Sequence, residues 1–224
     1  MKIIFEDKYL MVCEKPIGVQ SQESADGENM LSLLSQYRRD HGEDEYVGLV
    51  HRLDTATGGV MIYSKSRSLT GKLCELVGGE DYRKEYLAAV EGIPEAESGE
   101  LCDLLYHDKQ KNKSYVVKKE RRGVKEARAT YKLVETVKTD DGREISLVSV
   151  TLITGRTHQI RVQFASRGMS LVGDGKYGSR DNKTSCALWS HKVSFLHPVT
   201  GKSVTAQSFP PSVYPWNLFA ALGK

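Results

Sequence analysis

Residues 47–63 read VGLVHRLDTATGGVMIY: two apolar runs, VGLV and VMIY, enclose the polar stretch HRLDTATGG. The apolar runs have the composition of β-strands, and the stretch between them reads as a strand leading into a compact polar turn. Gly58 and Gly59 let the backbone bend or come close to another group. A simple hairpin needs only two or three polar residues, yet His51, Arg52, Asp54, Thr55 and Thr57 crowd this one. Such crowding suggests a site. The plainer alternative is an Asx turn closed by Asp54, with Arg52 in solvent.

Further β-rich runs, bounded by turn residues, lie on either side: 9–14, 48–53, 60–64, 84–90, 114–118, 129–134, 145–152 and 188–195. Met30, Leu31, Leu33, Leu34 and Tyr37 recur at helical spacing, which predicts a helix over 26–37 with Asp26 available as its cap. A second short helix fits 69–76. The reading is α+β, built around an antiparallel or mixed sheet. No linker or repeat divides the sequence, so one compact domain over 1–224 is expected.

A second segment, TLITGRTHQIRVQFASRG, runs from a β stretch through a glycine turn into a helix predicted over 157–166. Ile160, Phe164 and Val162 can face a core. His158, Arg161 and Ala165 recur at one stripe beside them, where a cleft can form; taken singly, such residues more often face solvent.

With 224 residues, 39% of them hydrophobic, the chain can bury a substantial core. Its 32 basic and 29 acidic residues leave a formal charge of +3, which excludes a strongly basic coat protein or an acidic tail. Any affinity for nucleic acid must then come from a local patch. One exists over 109–125, where Lys109, Lys111, Lys113, Lys118, Lys119, Arg121, Arg122 and Lys125 face the single acid Glu120. Tyr115 lies within it and is available for base stacking. No apolar run approaches the roughly 20 residues of a membrane span, and the opening MKIIFEDKYL carries acids where a signal peptide is apolar. A soluble, cytoplasmic protein is the expectation. Cys13, Cys74, Cys102 and Cys186 show no paired spacing and are expected to be reduced, buried and inert.

HRLDTATGG resembles the HRLD signature of the RluA-type pseudouridine synthases. FEDKYLMVCEKPIGVQSQ is similar to that family's opening strand and loop, with Asp7, Lys15, Pro16 and Gly18 on its pattern. YRKEYLAAVEG resembles the strand bearing the active-site tyrosine, which maps to Tyr86. GRTHQIRVQFASRGMSLVGDGKYGS is similar to the arginine-bearing helix and the GD-x-x-YG loop behind it, and CALWSHKVSFLHPVTGK resembles the closing strand. The five matches come in family order. One departure is Gly58, where the family often has serine. The small N-terminal RNA-binding domain of many relatives is expected to be absent, because the catalytic pattern starts within the first ten residues.

The resemblance implies a pseudouridine-synthase catalytic domain with its active-site cleft across the sheet, and isomerisation of uridine in ribosomal or transfer RNA. It implies that Asp54 is the catalytic carboxylate, Arg161 its ion-pair partner, and Tyr86 a stacking and acid–base residue. The target uridine must leave its stack. Arg52 is the candidate for the vacated space, because strand alternation puts it on the same side as Asp54, with His51 turned the other way to serve the fold. Arg156, His158 and Gln159, at the start of the arginine helix, are candidates for RNA contacts, as are Lys118, Lys119, Arg121 and Arg122. The reaction needs no cofactor and no metal, and the protein is expected to act as a monomer. Two other classes compete. A non-catalytic RNA-binding protein would have no use for a carboxylate facing phosphate. A metal-dependent hydrolase would draw on His51, Asp54, His158 or His191, but no metal-binding motif accompanies them.

Overall fold

The computed structural model describes residues 1–23 and 28–223. In chain order it has strands β1 (Lys2–Glu6) and β2 (Leu10–Lys15), helix α1 (Met30–Asp40), strands β3 (Gly48–Leu49) and β4 (Gly58–Ser64), and helix α2 (Arg67–Gly78). Strands β5 (Arg83–Glu91), β6 (Ser98–Asp108), β7 (Lys113–Val117), β8 (Val124–Lys138) and β9 (Glu144–Leu152) follow. Helix α3 (Gln159–Ala165) and strands β10 (Leu188–Leu196) and β11 (Ser203–Gln207) complete it. The α+β reading holds. The chain forms two compact units, Met1–Lys84 with Ser190–Phe209, and Glu85–Trp189 with Pro210–Lys224.

In the first unit the strand order is β1-β2-β4-β10, with β3 on β4 and β11 on β10. Pairs β1–β2, β2–β4, β3–β4 and β10–β11 are antiparallel. Strand β4 is buried at every position and β2 at all but one, as their apolar runs require. Helix α2 lays Leu69, Leu73 and Val77, four residues apart, onto a core with Leu10, Val12, Val60 and Ile62. Gly59 is fixed by close approach: at φ 112°, a Cβ there would lie 2.1 Å from the Ser190 carbonyl oxygen.

In the second unit the order is β5-β9-β8-β6-β7. Leu87 and Ala89 of β5, Ile145 and Leu147 of β9, Trp189 and Trp216 share one core. A smaller cluster of Leu105, Ala127, Val162 and Tyr177 packs α3 against β6 and β8.

Four expectations change. The strand expected over 48–53 stops at Leu49, because the Ile62 N–H that would continue the ladder donates instead to His51 Nε2, 3.2 Å away. Helix α1 starts at Met30, and its cap is Asn29, whose side chain accepts the Ser32 N–H; Asp26 lies outside the described residues. The arginine helix begins only at Gln159, because His158 sits in the left-handed region at φ 55°. It is also buried from Gln159 through Phe164, so it has no solvated stripe. Among the cysteines, all free, Cys13 and Cys186 are buried but Cys74 and Cys102 are exposed. Cys102 follows the alternation of β6 outward, and Cys74 sits at the margin of the buried α2 stripe with its thiol 3.7 Å from the Leu49 carbonyl.

Candidate active site

Asp54 lies in the irregular segment between β3 and β4, at the head of a turn closed by the Thr57 N–H donating to the Asp54 carbonyl at 2.9 Å. The residues on either side of it are tied to the loop that follows β2. The Ser21 hydroxyl donates to the Leu53 carbonyl at 2.9 Å and accepts the Leu53 N–H at 3.1 Å. The Thr55 carbonyl accepts the Gly18 N–H at 2.9 Å and Lys15 Nζ at 3.3 Å. Lys15 is fully buried and also donates to the carbonyls of Pro16 and Val19, at 2.9 and 2.6 Å. Burial pulls its ammonium down to about 8, against the opposing attraction of Asp54. The chain around Asp54 is therefore held by its own unit, with a cation built beneath the turn.

Arg52 does not share a strand with Asp54, so alternation does not set its direction. Its side chain is exposed and donates to Gln22 Oε1 at 3.0 Å. His51 serves the fold as expected, as a neutral acceptor. Burial, with Lys84 as a second cause, pushes its ring down to about 3.

In the second unit, Tyr86 is 7% exposed on β5. It alternates with Leu87 and Ala89, which point into the core, so Tyr86, Ala88 and Val90 occupy the other face. Arg161 is also 7% exposed, and its guanidinium makes a two-pronged contact with Asp174: Nε to Oδ2 at 2.7 Å and Nη2 to Oδ1 at 2.8 Å. Asp174 is delivered by a backbone that only glycine accommodates: Gly173 has φ 77°, and a Cβ there would lie 2.5 Å from the Ser185 carbonyl. The Arg161 Cζ lies 5.1 Å from the centre of the Tyr177 ring. The Tyr177 hydroxyl accepts the Ser114 N–H of β7 at 2.8 Å and shares a 2.9 Å hydrogen bond with His158 Nδ1.

The start of α3 is committed to the protein. Gln159 is 3% exposed; its Oε1 accepts from Thr154 Oγ1 and the Arg156 N–H, and its Nε2 donates to the Arg128 carbonyl. Arg156 Nε donates to the Glu126 carbonyl at 2.8 Å. His158 is buried against Tyr177. Of these three only Arg156 is not buried, and it is half-buried. By contrast, Lys118, Lys119, Arg121 and Arg122 are all exposed on the loop between β7 and β8. Arg121 lies over the Tyr106 ring at 4.8 Å, and Lys176 Nζ reaches the Asn112 carbonyl at 2.9 Å, anchoring the turn between β6 and β7. Among the described residues, no group of three or more His, Cys, Asp or Glu is placed to hold a metal ion.

Sequence reasoning passed over Lys15, Ser21, Asp174 and Tyr177 as contributors to the site. Lys15, Asp174 and Tyr177 stand inside the KP and GD-x-x-YG motifs, where a signal was present. Ser21 gave none, since a serine in a loop is ordinarily a turn residue.

Residues 9–166 match the family model described as RNA pseudouridylate synthase. The uncharacterized RNA pseudouridine synthase YhcT of Bacillus subtilis is 31% identical over 215 residues, covering 94% of this chain and 69% of that protein. The ribosomal large subunit pseudouridine synthase C of Buchnera aphidicola is 33% identical over 217 residues, covering 90% of this chain and 64% of that protein. The chain thus spans about two thirds of the length of these curated relatives. Among solved structures, human RNA pseudouridylate synthase domain containing 1 aligns with a TM-score of 0.76 at 21% identity, covering 98% of this chain and 86% of that one, a likeness of fold.

Proposed function

The chain belongs to the RNA pseudouridylate synthase family, as a member of its RluA type, and on that premise we propose that it isomerises uridine with Asp54, Tyr86 and Arg161 as its catalytic residues. RNA is the substrate. The reaction breaks the N1–C1′ bond, turns the uracil and joins C5 to C1′; the C5 hydrogen leaves as a proton and N1 takes one up. Nothing is oxidised or reduced, so the chemistry calls for positioned side chains and not for a redox or energy-bearing cofactor. Asp54 is the carboxylate that engages the nucleoside. Arg161 pairs with it and orients it, while Tyr86 stacks on the uracil and is the acid–base group through which the C5 proton leaves, passing on its own hydroxyl hydrogen as it takes that proton.

The match over residues 9–166 carries this reading, since that stretch holds Asp54, Tyr86 and Arg161 together. Two features within the units support it: the turn bearing Asp54 is tied down on both sides, and the Arg161 guanidinium is withdrawn from water and oriented by Asp174.

Everting the uridine leaves a gap in the RNA. Arg52, exposed two residues before Asp54, fills it or binds the neighbouring phosphate. The exposed cations Lys118, Lys119, Arg121 and Arg122 bind the backbone, with Arg156 as a further contact. Ribosomal or transfer RNA is the substrate class; the ribosomal large subunit name of the Buchnera relative favours the first. The protein works as a monomer in the cytoplasm.

Chemical mapping of pseudouridine in total RNA from cells with and without the gene tests the proposal. At least one position is expected to revert to uridine without the gene and to be restored by the wild-type chain but not by Asp54→Asn. Restoration by Asp54→Asn would end the catalytic assignment.

A further inference from the structure

We propose that Ser21 is a positioning residue for Asp54, a role that rests on Asp54 being the catalytic carboxylate. The direction of a side chain from its Cα is set by the two peptide planes that meet there. The plane entering Asp54 contains the Leu53 carbonyl, and the Ser21 hydroxyl donates to that oxygen at 2.9 Å. The plane leaving Asp54 contains its own carbonyl, which the Thr57 N–H holds at 2.9 Å. The second restraint is internal to the turn. The first is supplied from 32 positions away by one hydroxyl, which also accepts the Leu53 N–H at 3.1 Å.

A hydroxyl has one hydrogen to donate and lone pairs to accept with, so a single serine can close both bonds to one residue. Ser21 is 4% exposed, and its carbonyl is in turn held by the Tyr63 hydroxyl at 3.2 Å. The segment 50–54 has no strand pairing. Without Ser21, the Leu53 carbonyl in the plane entering Asp54 loses its donor, and the carboxylate would sample directions that do not meet the nucleoside. A group poised for reaction is sensitive to displacements of about 1 Å, so the loss falls on the chemical step and not on RNA affinity.

The same unit contains a matched control. The fully buried Ser64 donates to the Ser66 carbonyl at 2.8 Å and accepts the Ser66 N–H at 3.2 Å, the same pair of bonds made to a residue outside the Asp54 turn. Joining C1′ to C5 expels the C5 hydrogen, so the rate is read as tritium released from [5-3H]uridine-labelled total RNA of cells lacking the gene. Under single turnover, Ser21→Ala is expected to slow release about 10- to 100-fold with the half-saturating RNA concentration unchanged. Ser64→Ala is expected to lower the unfolding midpoint comparably while keeping the wild-type rate. Ser21→Cys, nearly isosteric but a weak hydrogen-bonding group, is expected to fall between wild type and Ser21→Ala.

Ser21→Ala releasing tritium as fast as Ser64→Ala, with Asp54→Asn silent, overturns the positioning role. Should Ser21→Ala fail to fold, Ser21→Cys at the wild-type rate does the same. Release by Asp54→Asn would instead strike at the catalytic assignment beneath it.

Discussion

Asp174 accepts two hydrogen bonds from Arg161 at 2.7 and 2.8 Å, with side-chain exposures of 8% for the arginine and 1% for the aspartate. Removing two charges from water is unfavourable, and only a geometry this complete compensates for it. Asp174→Asn keeps the shape but offers one oxygen where there were two and removes the negative charge that meets the guanidinium at this distance. Breaking such a pair from one side is expected to cost about 3–5 kcal/mol, measured by denaturant unfolding, and to slow pseudouridine formation as well. An unchanged unfolding midpoint would show the pair to be dispensable. Gly59→Ala fails for a different reason: its Cβ meets the Ser190 backbone at 2.1 Å in a conformation that L-residues avoid. A loss of at least ~2 kcal/mol is expected in the same measurement. At this scale Asp54, Tyr86 and Arg161 are proposed through the order of the family motifs around them, since a single aspartate, tyrosine or arginine is ordinarily a turn, core or solvated residue. The sequence did not reveal Ser21, since its role depends on which backbone atoms it meets and not on what kind of residue it is.

The loop after β7 carries the exposed cations Lys118, Lys119, Arg121 and Arg122, and the Tyr177 hydroxyl holds β7 through the Ser114 N–H at 2.8 Å. Tyr177 also lies against the Arg161 guanidinium, so the basic ribbon is fastened within its unit to the arginine of the proposed site. Replacing Lys118, Lys119, Arg121 and Arg122 with glutamate is expected to weaken RNA binding and to flatten the plot of log affinity against log salt by up to about 3 units, each lost phosphate contact removing about 0.7 to 0.9. Filter binding across a salt series measures it, and an unchanged slope would place the ribbon in plain solvent. Elements were legible where burial is two-sided: β2, β4 and the core of β5 are continuous apolar runs. Strands β1, β6 and β11 were missed because they are only partly buried. SGELCDLLYHD in β6 has buried residues at only two positions, Leu101 and Leu105, which are too sparse to show a period. Strand β3 was read too long because a histidine ring, and not a backbone carbonyl, takes the next N–H of its partner. Such an exchange of side chain for main chain leaves no trace in hydrophobic pattern.

Near neutrality the 32 basic and 29 acidic residues nearly cancel, so the first response to falling pH belongs to particular groups. In the first unit the decisive group is His51, which must stay neutral to accept the Ile62 N–H and whose ring is pushed down to about 3 by burial, with Lys84 second. An unfolded histidine takes up a proton near 6.5. Between that pH and about 3 the unfolded chain binds a proton that the folded unit refuses, so this stability is complete above 6.5 and drains as pH falls. The corresponding group in the second unit is Asp181. Burial alone would raise its carboxyl, but hydrogen bonds from Tyr214, the Lys183 N–H and Arg143 outweigh burial and hold it below the usual range. Its contribution is intact above about 3.9, where an unfolded aspartate ionises, and is lost as pH falls below that. The two windows are separated in pH, with His51 responding first and Asp181 only later. Amide exchange at Ile62 should quicken as pH falls through 6 and 5, beyond the intrinsic pH dependence of exchange, while exchange at Lys183 should not respond until the pH is below about 4. His51→Gln, which keeps a neutral acceptor, is expected to flatten the Ile62 response and leave Lys183 unaffected; Asp181→Asn is expected to do the reverse. Equal responses of both amides in the wild type, or a slope at Ile62 that survives His51→Gln, would show that the acid lability lies elsewhere.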